Sequence, residues 1–111
     1  MSDNYLNKVK GRWLASGAAA ASGGTTVTKA AVAAGQHSIS HASASGDAAA
    51  LVTIESPTST VIWRKRFAGA FTMSESFDPG QVEAPDENTA MSIKVSASTA
   101  NVEANIAGYT I

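Results

Sequence analysis

The chain contains no cysteine, so neither a disulfide framework nor a thiolate metal site can hold its fold. Charge is sparse: eight basic and nine acidic residues among 111 give a formal net charge of -1. A dedicated nucleic-acid binder draws its affinity from many phosphate contacts, and this balance argues against one. Apolar-looking runs such as Ala18 to Ala21 are far short of the ~20 residues that a membrane span requires. Lys8, Lys10 and Arg12 precede a small-residue stretch, but no strongly apolar h-region follows, so a signal peptide is not expected. Large apolar side chains are also scarce. Of 49 hydrophobic residues 22 are alanine, and the remaining 27 suffice for one thin core. The length agrees with a single domain. What is abundant is Ser and Thr, 24 residues in all, which with Val and low charge suits β-structure and a surface covered by neighbours.

Two-residue alternation dominates the chain from residue 25 onward. Leu51–Phe67 reads as two strands around a Pro57-Thr58-Ser59 turn, because proline cannot donate to a central ladder. Val61, Trp63, Lys65 and Phe67 share one face of the second strand, which predicts that this face looks into the core and that the hairpin organises it. Further strands are expected at Thr25–Val32, around His37–His41 with His37, Ile39 and His41 on one face, and over Phe71–Phe77. Two more follow, with Met91, Ile93, Val95 and Ala97 inward in one and Val102, Ala104 and Ile106 inward in the other. Ser43 to Asp47 reads as a loop, as do the segments at Asp78-Pro79-Gly80 and Pro85–Asn88 and the short Ser98-Thr99-Ala100 connection. Seven or so short strands predict an all-β fold, an antiparallel β-sandwich or jelly roll, over residues 25–111.

Residues 1–24 read differently, as an N-terminal arm and linker. Tyr5, Val9 and Trp13 recur every four residues with Leu6 and Leu14 alongside, the pattern of a short amphipathic helix; an extended arm is the alternative. Asp3 or Asn4 would cap such a helix, and Gly11 weakens it. The Ala-Ser-Gly run from Ala15 to Gly24 reads as a flexible linker.

No catalytic constellation emerges. The chain has no Gly-x-Ser-x-Gly, phosphate-binding loop or His-Glu-x-x-His motif, so an enzyme is not expected. His37 and His41 on one strand would stand roughly 13 Å apart, too far to share an ion. Asp78, Glu83, Asp86 and Glu87 match no EF-hand spacing and read as a solvated acidic loop. Alternation sends Arg64 and Arg66 one way and Lys65 the other, which favours pairing with acids such as Glu55 or with an acidic neighbour over binding nucleic acid. No metal or cofactor is implied.

Several strand patterns resemble those of small β-sandwich proteins encoded by tailed bacteriophages. They are Gly35-Gln-His-Ser-Ile39, Thr60-Val-Ile-Trp-Arg64, the phenylalanines between Gly69 and Phe77, and the tail Val95-Ser-Ala-Ser-Thr99, Val102-Glu-Ala-Asn-Ile106 and Gly108-Tyr109. The resemblance covers about two thirds of the chain and excludes its first 24 residues. It implies a virion structural protein, foremost a decoration (cement) protein that trimerises and clamps adjacent major-capsid subunits on the outer capsid surface. A tail, neck or host-adhesion component is the alternative, followed by a carbohydrate-binding module. Neither nucleic acid nor membrane is an expected partner. Tyr5, Leu6, Val9, Trp13 and Leu14 are the expected partner-binding residues, packing of Tyr5 and Trp13 on the arm's own domain being the alternative, and deleting residues 1–20 is expected to abolish binding while leaving the domain folded.

Overall fold

The computed structural model describes residues 11–19, 24–96 and 101–111. They form eight strands: β1 (Arg12–Ala19), β2 (Thr25–Lys29), β3 (His37–Gly46), β4 (Ala50–Glu55), β5 (Val61–Phe67), β6 (Phe71–Ser76), β7 (Met91–Ser96) and β8 (Val102–Thr110). One antiparallel sheet has the order β1-β8-β3-β6 and the other β2-β7-β4-β5. Only the β4–β5 hairpin stays within one sheet; every other connection crosses between them. Two four-stranded sheets wound in this order make an eight-stranded jelly roll. The all-β sandwich expected from alternation is therefore the fold.

The alternation explains why the sheets close on one another. Val27, Val52, Ile54, Met91, Ile93 and Val95 line the inner face of one sheet. They meet Ile39, Ala42, Ala44, Val102, Ala104 and Ile106 of the other. Two seams close the open edges. Between β5 and β6, Trp63 sits edge-on to the Phe77 ring at 5.8 Å, Lys65 pairs with Glu75 at 2.9 Å, and Phe67 stacks on Phe71 at 4.3 Å. Between β1 and β2, Lys29 lies 5.8 Å from the centre of the Trp13 ring. There Gly17 makes room for Val27, whose Cγ2 would stand 2.8 Å from any added Cβ.

Five expectations are corrected. The linker reading fails over Ala15–Ala19, because β1 pairs with β8 along all eight of its positions. Small residues hid this strand: Ala15 and Gly17 face inward and present no hydrophobic alternation. The loop expected at Ser43–Asp47 is replaced as far as Gly46 by β3, whose inward residues there are Ala42 and Ala44. His37, Ile39 and His41 do not share a face, since a β-bulge between Ile39 and His41 shifts the register and turns His41 outward. Finally, β5 is an edge strand. Trp63 and Phe67 are only half-buried and Val61 is exposed, so that face closes a seam and the core belongs to β3, β4, β7 and β8. The first strand candidate also ends earlier than expected, at Lys29.

Candidate functional site

The interior is given to packing, so the chemistry open to partners lies on the two outer sheet faces and at β1. Tyr5, Leu6 and Val9 lie outside the described residues, as does the Ser98-Thr99-Ala100 connection. Trp13 and Leu14 lie in β1 and, as consecutive strand residues, point to opposite faces. A shared helical face for this pair is thereby ruled out. Trp13 turns inward, edge-on to the His37 ring at 5.7 Å, and its Cζ2 lies against Gly108. Leu14 turns outward and is 72% exposed, among the most exposed large apolar residues described. Of these two, only Leu14 is free to meet a partner, while Trp13 is used inside the domain.

His37 is also structural. It is fully buried; its Nε2 lies 2.8 Å from the Ala30 carbonyl and its Nδ1 2.7 Å from the Thr110 hydroxyl. A carbonyl only accepts, so Nε2–H donates to Ala30 O, while Nδ1 pairs with the Thr110 hydroxyl, which can accept or donate. Both ring nitrogens are thus occupied. His41 stands on the outer face between Ser74 and Ser76, at long distances of 3.4 and 3.5 Å. Among the described residues no three His, Asp or Glu side chains gather as a metal site.

The outer face of the β1-β8-β3-β6 sheet is set by register. Ser16, Asn105, Ser43 and Ser74 form one row straight across its four strands. Leu14, Ala107, His41 and Ser76 form the next. Asn105 Nδ2 donates to Ser43 Oγ at 3.2 Å, tying two strands together within the first row. The middle of this broad face is therefore mostly short, uncharged side chains, with Leu14 at its β1 edge; exposed Glu103, in register with Ser45 and Thr72, and Arg12, opposite Tyr109, bound it with charge. At one end the segment around Glu83 extends the sheet beside β3: Ile39 N–H donates to Val82 O, and Ala84 N–H to His37 O, both at 2.9 Å. The Asp78-Pro79-Gly80 turn and the Asp86-Glu87 bend on either side are exposed, as their composition predicted.

The opposite outer face, on the β2-β7-β4-β5 sheet, is cationic. Thr26, Lys94, Thr53 and Arg64 form a row across its four strands, and Arg66 lies two residues beyond Arg64. Thr53 is only 5% exposed because its cross-strand neighbours are two long side chains, whose methylene stems cover what lies between them. The expected pairing of the basic run with Glu55 does not occur. Glu55 is buried, accepting from Ser59 N–H at 2.9 Å and so tying down the β4–β5 turn. Lys65 takes Glu75 instead. Strand alternation had correctly separated Lys65 from Arg64 and Arg66, and the signal for Lys94 as their neighbour exists only in the β4–β7 register.

A scan against models of known protein families and a search of curated proteins both find no match to this chain.

Proposed function

We propose that this chain is a structural protein of a tailed-phage virion, foremost a capsid decoration (cement) protein that trimerises and clamps adjacent major-capsid subunits on the outer capsid surface. The observation that carries the reading is the broad outer face of the β1-β8-β3-β6 sheet, whose two central rows are mostly Ser, Asn and Ala, with exposed Leu14 at the β1 edge. Short side chains lose little rotamer freedom when a neighbour covers them. A sheet face of short side chains suits many modest contacts, which multiply when several copies are linked. The jelly roll is an architecture also used by capsid domains, an analogy that adds only weight. In this reading the protein has no catalytic role. The anchoring residues are Leu14 together with Tyr5, Leu6 and Val9, and Trp13 contributes by fixing β1.

The test is the copy number and position of the protein in a purified particle. Hundreds of copies over the shell support cement. A few copies at one vertex or along the tail shift the assignment to a tail, neck or adhesion component, and absence from the particle ends it. Because β1 is part of the sandwich, the informative truncation removes residues 1–10 and not 1–20. That truncation is expected to weaken binding to undecorated capsids while the melting temperature stays within a few degrees.

A further inference from the structure

Arg64, Arg66 and Lys94 are exposed on one outer face and have no ion-pair or hydrogen-bond partner among the described residues; the Lys65–Glu75 ion pair lies in the β5–β6 seam. Asp78, Asp86 and Glu87 are exposed and equally without a side-chain partner. The two groups do not pair with each other within the molecule. The cations stand on the outside of β2-β7-β4-β5. The acids flank the segment that extends the other sheet beside β3, through the Ser38–Glu83 bridge. Stacked sheets lie roughly 10 Å apart with their outer faces pointing away from each other.

We propose that copies of this chain associate head to tail, the acidic Asp78–Glu87 segment of one seated on the Arg64, Arg66 and Lys94 face of the next. Complementary patches on different sides of a molecule disfavour a twofold contact, in which one patch must meet itself. They favour a heterologous contact, which closes into a ring when the rotation allows it. Charge complementarity identifies the occupant. The face offers two guanidinium groups, each able to take a carboxylate through paired N–H donors, and the segment supplies three exposed carboxylates, those of Asp78, Asp86 and Glu87. Opposite charge also steers the encounter and rejects the reversed orientation. The inference deepens the trimer part of the proposed function and rests on that reading for its biological setting, but its chemistry is tested in isolation.

The experiment is sedimentation velocity on the full chain at low and high salt, with three variants checked for folding by circular dichroism. Self-association of the wild type that weakens as salt rises is expected, since exposed pairs are screened. R64E/R66E and D86K/E87K should each weaken association by roughly tenfold or more, because like charges then face one another. The fourfold swap R64E/R66E/D86K/E87K should restore it. Association that survives both double variants, or a wild type monomeric at roughly millimolar concentration, overturns the contact. Capsid binding by the same variants separates the two ideas. A wild type that self-associates through this contact yet ignores capsids overturns the cement reading alone. A wild type that binds capsids while both double variants still self-associate overturns this contact alone.

Discussion

Exchanging Trp13 and Leu14 one at a time for alanine tests the assignment of β1 most directly, because the two neighbours should behave oppositely. Trp13 is half-buried, edge-on to His37 at 5.7 Å and beneath the Lys29 ammonium at 5.8 Å. A fully buried aromatic residue costs ~3–5 kcal/mol on truncation to alanine. Scaling for partial exposure, and keeping the ring contacts at ~1 kcal/mol, gives about 2–3 kcal/mol for Trp13→Ala. For a domain of this size that lowers the melting temperature by about 8–12 °C. Leu14 is 72% exposed, so it retains only a small part of the ~1.5–3 kcal/mol that full burial of a leucine brings. Leu14→Ala should therefore cost about 0.5 kcal/mol, a shift of about 2 °C. The assay is thermal unfolding by circular dichroism, run beside binding to undecorated capsids with Leu14→Asp as a more severe surface change. Weakened capsid binding with unchanged melting is expected for Leu14→Asp. Equal destabilisation by the two alanine variants, or loss of stability only in Leu14→Ala, would refute the orientation of β1 and with it the exposure of Leu14.

Two further substitutions probe the backbone. At Gly108 an added Cβ would stand 2.0 Å from Ser38 O and 3.0 Å from Trp13 Cζ2; a strand carbonyl cannot move aside, so Gly108→Ala should cost about 3 kcal/mol or more and appear as lost soluble yield and a lowered melting temperature. Ala34 holds φ at 59° in the turn closed by Gly35 N–H to Val32 O at 3.0 Å. Glycine adopts that conformation without the ~1–2 kcal/mol charged to a Cβ, partly offset by the freer unfolded chain, so Ala34→Gly should raise the melting temperature by a few degrees.

The fold class was legible because the strands that build the core carry large side chains at every second position. Met91, Ile93 and Val95, and likewise Val102, Ala104 and Ile106, face inward as their spacing requires. Errors fell where the inward residues are small. β1 shows Ala15 and Gly17 to the core, and β3 shows Ala42 and Ala44; an alternation of Ala with Ser looks like a loop because hydrophobic contrast is nearly absent. The bulge at Ile39/His41 inserts a residue that no periodicity announces. The misplaced hairpin has a different cause. Trp63 and Phe67 carry the right alternation, but a seam between edge strands and a central strand impose the same period, and only pairing partners distinguish them. The candidate surfaces were legible in part: Leu14 was singled out as a contact residue, whereas the cationic face needed Lys94 brought beside Thr53 from 41 residues away.

The same small residues account for how closely the two sheets approach. Gly17, Ala104, Ala44 and Met73 form one inward row across β1, β8, β3 and β6. Gly17 already accepts Val27 from the other sheet, and Ala104 is wholly buried. Large side chains on one sheet are thus received by a row of small ones on the other, which is how inner faces interdigitate at native density. The alanine that thins the core on paper is therefore a shape requirement, and it binds in one direction: enlarging it must strain the packing. Ala104→Leu adds three carbons where the neighbours in register are Gly17 and Ala44. Overpacking of this kind costs ~1–3 kcal/mol, about 4–12 °C in melting temperature here. The opposite result, a stabilised Ala104→Leu, would mean that an unfilled space separates the sheets at this row. The interior would then be open to a ligand, and the case for placing function on the outer faces would lose its physical basis.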